Sequence, residues 1–299
     1  MLKTLIIGAQ NIDIFAQTTE EYLLHDSNLA KIHIAFGGVG RNIVENVKRM
    51  DNEVAFLSIF GDDDFSKSAK NSLINLGVEL TGSRFLKKAS NSVYLGVMDQ
   101  DNDLYLGLND MDIVKALNPE YLKTKADYIN SFSLLVIDNN LSKAAIEYLL
   151  TTYQNKTIIM DAVSAKKVSK LKGLLPFIDL LKVNLLELEE LSKAKNLEEQ
   201  LKELHNQGIK KLLVTNQAKV IILSSKEKVI KTTPISCKTI VNASGAGDAF
   251  ISGFIHGLIH HLNDEECLTY AKKVAYLTLL SNNSTNNKLT KEKVEEINE

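Results

Sequence analysis

The chain has 299 residues, 44% of them hydrophobic and 24% charged, with a formal net charge of −2. That balance suits a globular protein with a sizeable core, in one large or two ordinary domains, and the lack of a basic run interleaved with aromatics argues against nucleic acid as a partner. The two cysteines, Cys237 and Cys267, lack metal-ligand spacing and read as reduced thiols; no apolar run approaches the ~20 residues that span a bilayer, so the chain reads as cytoplasmic with no membrane partner.

Leu2 to Gly8 is a buried first strand, apolar at Leu5, Ile6 and Ile7 in succession. Asn11 to Ile14, and then Lys31 to Phe36, alternate and predict exposed strands, with His33 a surface residue on the second. The string Phe36-Gly37-Gly38-Val39-Gly40-Arg41-Asn42 follows and runs into a helix through about Met50. Its glycines let the backbone approach a ligand, but the spacing is not a dinucleotide fingerprint, and no Gly-x-x-x-x-Gly-Lys phosphate loop occurs in the chain. Val54 to Phe60 predicts one strand. The triplet Asp62-Asp63-Asp64 reads as a cap on a helix over Phe65 to Leu76 rather than a metal site, and Gly77 ends that helix. Ser92 to Met98 and Asp103 to Leu106, joined by the polar turn 99–102, predict a hairpin, with Asn109-Asp110-Met111 after it.

From Leu134 onward, strands alternate with helices. The predicted strands Leu134 to Ile137, Thr157 to Met160, Ile178 to Val183 and Lys211 to Thr215 each run into a polar residue: Asp138, Asp161, Asn184 and Asn216. Continuous apolar strands with polar carboxyl ends predict an open, mostly parallel sheet, covered on both faces and binding ligands at the strand ends. Asn184-Leu185-Leu186-Glu187 puts an amide and a carboxylate at one such end, although Glu187, Glu189 and Glu190 also fit a charged helix face. Farther on, Val241-Asn242-Ala243-Ser244-Gly245-Ala246-Gly247-Asp248 precedes an apolar helix. A small-residue turn opening into a helix presents unpaired amides to an anion, and Asp248 in the first turn can accept a hydroxyl proton. That combination suits phosphoryl transfer to a hydroxyl; an ordinary helix cap is the other reading. Helices at about Asp264 to Leu280 and Thr290 to Asn298 flank a polar linker, Ser281 to Asn287.

Taken together, these strings resemble the PfkB, or ribokinase-like, family of carbohydrate kinases over essentially the whole chain. The string ending at Asp248 is similar to the family's Asp-Thr-x-Gly-Ala-Gly-Asp, with Asn242, Ala243 and Ser244 as departures. The first glycine turn is similar to its Gly-Gly…Asn motif, and Gly37 to Asn46 resembles the Gly-Gly-Val-Gly-Arg-Asn-Ile-x-Glu-Asn of its pseudouridine kinase branch. The resemblance implies a ribokinase-like α/β fold, with a central, mostly parallel sheet flanked by helices. It implies a single domain over 1–299, with a small β-sheet lid made by strands inserted at about 11–36 and 91–107. The implied activity is ATP-dependent phosphorylation of the 5′-hydroxyl of a ribosyl substrate, pseudouridine foremost. Another sugar or nucleoside (ribose, fructose, adenosine-type) and a catalytically weak ligand-binding role are the alternatives.

In that scheme Asp248 is the catalytic base, and Gly245, Ala246 and Gly247 form the anion hole. Asn11, Asp13, Gly37, Gly38 and Asn42 hold the sugar, with Asn109 on the base side. Asn184, Thr215, Ser244 and Asn283 attend the ATP, and Glu187 acts on Mg2+ through water. The family's Thr-Leu-Gly-x-x-Gly loop falls at Val214 to Val220, where both glycines are missing. Asn242 stands where an Asp helps hold a monovalent cation, which leaves that cation open. A small sugar or nucleoside is the implied partner, and the exposed lid strands also leave room for a homodimer.

Overall fold

The computed structural model describes residues 2–21, 23–100 and 103–298. The strands in chain order are β1 (Thr4–Ile7), β2 (Asn11–Thr18), β3 (Ala30–Gly37), β4 (Val54–Leu57), β5 (Ile59–Phe60), β6 (Arg84–Phe85) and β7 (Val93–Met98), then β8 (Leu104–Asp110), β9 (Leu134–Asp138), β10 (Thr157–Asp161), β11 (Leu180–Asn184), β12 (Lys211–Asn216), β13 (Val220–Ser224) and β14 (Val229–Thr232). The α-helices are α1 (Val39–Arg49), α2 (Asp64–Asn75), α3 (Pro119–Thr124), α4 (Ala126–Asn130), α5 (Lys143–Thr152) and α6 (Ala165–Val168), then α7 (Leu185–Leu191), α8 (Leu197–Asn206), α9 (Ala246–Ile259), α10 (Asp264–Leu279) and α11 (Lys291–Glu296).

Eight strands form one sheet in the order β14-β13-β12-β11-β10-β9-β1-β4. The pairs from β4 to β12 are parallel, and β13 and β14 add an antiparallel edge. Strands such as Leu134–Asp138 are buried at every position, as expected where helices cover both faces. One apolar cluster packs Leu135, Ile137, Met160 and Leu181 under Ile146 and Leu149 of α5. The opposite cluster packs Val136, Ile159 and Leu180 under Ile43 and Val47 of α1 and Phe250 and Phe254 of α9. Helix α9 is apolar on nearly every side, so α1, α10 and the sheet can all bury it. Among the described residues, no helix is long and apolar enough to cross a membrane.

A second sheet, β3-β2-β7-β8, stands apart from the first. Its strands run to Gly37 and Asp110, a little beyond the predicted ends, so Asn109 lies inside β8 rather than after it. Residues 101 and 102 of the predicted hairpin turn lie outside the described residues. The single strand expected over Val54 to Phe60 is two. Ser58 interrupts it, donating its N–H to Ser83 Oγ at 3.1 Å and its hydroxyl to the Gly8 carbonyl at 2.7 Å, and β5 then pairs with β6 instead. The antiparallel strands β13 and β14 lie outside the predicted elements, although Val220 to Leu223 is an apolar run. The acidic triplet does cap: Asp63 accepts the Ser66 and Asn91 N–H groups, each at 2.7 Å.

Candidate active site

The carboxyl ends of the parallel strands bring the predicted residues together. Gly245 caps α9 with φ +76 and offers no side-chain cap; the Ala246 N–H turns back to the Ala243 carbonyl at 3.3 Å, so the amides that follow it, at Gly247 and Asp248, are the ones that face an outside acceptor. A β-carbon at Gly245 would fall 1.9 Å from the Ser284 carbonyl, so glycine is required for its backbone angle and for the close approach of the Ser281–Asn287 segment. Ala246, Gly247 and Asp248 make the first turn, and Asp248 is 9% exposed. The other glycine turn meets it: Asn42, on the first turns of α1, donates from Nδ2 to Asp248 Oδ2 at 2.8 Å. Gly38, with φ +98, starts α1 against the Ala9 carbonyl and Asn11 Oδ1. Asp13 lies with its carboxylate over Gly37 and accepts a hydrogen bond from Asn11 Nδ2. Asn11, Asp13, Gly37, Gly38, Asn42 and Asp248 thus form one constellation drawn from four elements.

Burial pushes the Asp248 carboxyl up to about 7, with the neighbouring Asp161 charge adding to the push; Lys182 and the Asn42 hydrogen bond oppose it, and Asp138 adds a smaller push. Asp13 is pushed up to about 6 by burial, against the Asn11 hydrogen bond and the Arg41 charge. Both acids therefore sit near neutrality, where a proton acceptor is useful.

Asn184 and Glu187 form a capping box at the start of α7. Glu187 accepts from the Asn184 N–H at 2.8 Å and from Asn184 Nδ2 at 3.0 Å, so both its oxygens are engaged. It is 1% exposed, which separates it from the exposed Glu189 and removes the charged-face reading for this residue. Burial raises its carboxyl, against the Lys182 charge. Among the described residues no cluster of three His, Cys, Asp or Glu groups could hold a metal directly, and the engaged Glu187 oxygens fit a metal reached through water.

The remaining nucleotide candidates are more scattered. Thr215 Oγ1 reaches the Val183 carbonyl at 3.5 Å, and the next turn is a tight β12–β13 hairpin in which Gln217 takes φ +44 where the motif would have glycine. Ser244 is exposed, its N–H donated to Asn242 Oδ1 at 2.8 Å. Asn242 Nδ2 in turn donates to the Asn282 carbonyl at 3.0 Å. Asn283 Oδ1 lies 3.1 Å from His33 Nε2, so the exposed histidine of β3 reaches the Ser281–Asn287 segment across the cleft.

Asn109 sits in a cross-strand row. Ala35, Asp13, Tyr94 and Asn109 are direct partners on β3, β2, β7 and β8, and so share one face. The Tyr94 and Phe15 rings meet edge to face at 5.9 Å on that side. Asn109 stands two strands, about 10 Å, from Asp13, so the small sheet rather than a direct contact links them.

Three further residues stand at this site, none of them among those to which the resemblance assigns a role. Asp138 is fully buried and accepts the Ala9 and Gly40 N–H groups at 2.8 Å each, tying the end of β1 to the start of α1. Asp161 and Lys182 form a buried ion pair at 3.0 Å. Their signal was present, because Asp138 and Asp161 end apolar strands and Lys182 is the one charge inside β11; nothing in the sequence says which strands are neighbours.

The model of the pfkB family of carbohydrate kinases matches residues 1–291. The pseudouridine kinase of Escherichia coli is 29% identical over 279 residues, covering 92% of this chain and 89% of that protein. The uncharacterized sugar kinase YeiI of the same organism is 28% identical over 288 residues, covering 94% and 79%. Arabidopsis thaliana ribokinase, solved with ribose and ATP, superposes with a TM-score of 0.87 over 99% of this chain and 98% of that one at 19% identity, a likeness of fold.

Proposed function

The chain belongs to the pfkB family of carbohydrate kinases, and from that premise we propose that it transfers the γ-phosphoryl group of ATP to the 5′-hydroxyl of a ribosyl nucleoside, pseudouridine foremost. The observation that supports the reading is the 2.8 Å Asn42–Asp248 bond, which joins the Gly37–Asn42 turn to a buried carboxyl beside a helix N-terminus. In this reading Asp248 takes the hydroxyl proton, while the amides of Gly245 to Gly247 bear on the charge of the transferring group. Asn42 orients both the carboxylate and the hydroxyl. Asp13 and Asn11 hold the sugar diol, since a carboxylate can accept from two hydroxyls at once. Magnesium, when bound with ATP, neutralises phosphate charge; Asn184 and Glu187 would hold it through water, and Thr215, Ser244 and Asn283 would border the nucleotide.

The small sheet supports a nucleoside over a bare sugar. Beyond Asp13 its cleft-side face carries the Tyr94 ring and then the Asn109 amide, a surface for a flat, hydrogen-bonding base. We read it as a lid, inserted into one kinase domain, that excludes water when closed. The similarity to a sugar kinase is as high as that to a pseudouridine kinase, so a bare sugar such as ribose or fructose is the second reading. The unpaired cysteines and the use of ATP go with a cytoplasmic enzyme.

The test is to incubate the protein with MgATP and ribose, fructose, uridine, adenosine and pseudouridine, and to identify products by mass. Phosphorylated pseudouridine as the main product supports the proposal. A phosphorylated sugar alone moves the specificity, and ATP binding without transfer to any acceptor sinks the assignment.

A further inference from the structure

Three strand ends of the large sheet stand side by side at one level. Asp138 on β9 is the direct partner of Asp161 on β10, and Asp161 is the direct partner of Lys182 on β11. Direct partners share a face, here the one covered by α1 and α9. Lys182 Nζ lies 3.0 Å from Asp161 Oδ2 and is packed under the turn before Asp248: a β-carbon on Gly247 would come within 2.9 Å of it. Asp161 is held from its other side, where Oδ1 accepts the Val163 N–H at 2.7 Å. Val163 holds φ +70, a conformation that β-branched residues avoid, so the backbone is strained at the residue that fixes this carboxylate.

The placement of Lys182 is not explained by helix stability. An ammonium against a helix N-terminus has the wrong sign for the dipole, and burying it is costly unless it is paired. The groups around it account for it. Asp161 and Asp138 face Asp248 from the sheet and Asn42 from α1, while Glu187 of α7 faces Lys182. The 3.0 Å ion pair with Asp161 compensates the burial of the ammonium.

We infer that Lys182 is the positioning residue for the base: paired with Asp161 beneath Gly247, it steadies the Asp248 carboxylate against the acids beside it. The inference rests on the reading of Asp248 as the base. Without the ammonium, Asp248 would face Asp161 and Asp138 with only Asn42 to offset them, and would keep its proton into the alkaline range. Without Asp161, the push would weaken and Asp248 would ionise earlier.

Carboxyl-carbon NMR of aspartate-labelled protein, free of nucleotide, reads this directly, with the Asp248 signal assigned by its loss in Asp248→Asn. The Asp248 midpoint should rise by about one unit or more in Lys182→Met and fall by about as much in Asp161→Asn. It should return towards wild type in the double variant K182M/D161N, and stay near wild type in Lys182→Arg. An unmoved midpoint in Lys182→Met overturns the inference. Should that variant not fold, the double variant, which removes the pair without leaving a buried charge, is set against Asp161→Asn instead, and equal Asp248 midpoints in those two overturn the inference. The acid limb of kcat/KM should follow the same shifts. Midpoints that move while that limb stays in place would keep the electrostatic link and remove Asp248 as the base.

Discussion

Asp248 carries opposite demands, and this sets the residue-scale predictions. Its carboxyl is raised from an ordinary 3.8 to about 7 because it is buried beside Asp161. A base must be ionised, so kcat/KM should climb as pH rises through about 7, read from a pH–rate profile with MgATP. The same shift costs stability. A carboxyl with a raised folded-state pKa favours the fold most below its unfolded value, and that advantage is lost as pH rises to the folded value. Asp248→Asn should therefore lower turnover by about a thousandfold or more while melting higher than wild type. Its advantage should grow from about pH 4 to about pH 7, then level at on the order of 1–3 kcal/mol, measured by thermal unfolding across pH. Equal melting curves at alkaline pH would mean that Asp248 is not the buried charge described. Asn42→Ala loses one charge-assisted hydrogen bond and should raise the acceptor KM by about tenfold, with ATP binding unchanged. An unchanged acceptor KM would take Asn42 out of the acceptor site. The types of these residues were legible from the glycine turns beside them, but the Asn42–Asp248 contact spans 206 positions and no local pattern announces it.

At the scale of elements, two turns decide the site. Gly245→Ala places a β-carbon at φ +76 and into the Ser284 carbonyl. It should cost about 1–3 kcal/mol and displace the Ser281–Asn287 segment, with loss of ATP affinity by calorimetry; a variant as stable as wild type would show that the turn is less constrained than its geometry. Asn242 bridges that segment by donating to the Asn282 carbonyl, a bond an Asp cannot make. Turnover should therefore differ little between potassium and sodium, and Asn242→Asp should become dependent on the cation. Strong potassium dependence in the wild type would instead show that nearby carbonyls suffice. Glu187 illustrates what local sequence can hold: a capping box has a spacing of its own, so Asn184 and Glu187 were recognisable as a unit at a helix start. Its burial was not, because Glu189 and Glu190 look the same in one dimension.

For the molecule as a whole, the small sheet has a second face. Ile14 and Ile34, Ala16 and Ile32, Leu95 and Leu108, and Val97 and Leu106 are direct partners on that side. Ile32, Ile34, Leu106 and Leu108 are each at least 45% exposed. We propose that two copies pair through this face, since apolar patches of this kind are usually covered. Sedimentation should find a dimer, and Ile34→Asp should convert it to monomer; a wild-type monomer at micromolar concentration would remove the proposal. The sequence by itself determined the strand–helix alternation, the apolar faces, the two glycine turns and the acid after the second, because periodicity and small-residue turns are local properties of a chain. Only the tertiary structure decided that Asp138, Asp161 and Lys182 stand in one row, that Asn42 meets Asp248, and that His33 reaches Asn283. Parallel strands pair across long crossovers, so neighbours at a strand end are far apart in sequence, and the charges that tune a buried carboxyl come from those neighbours.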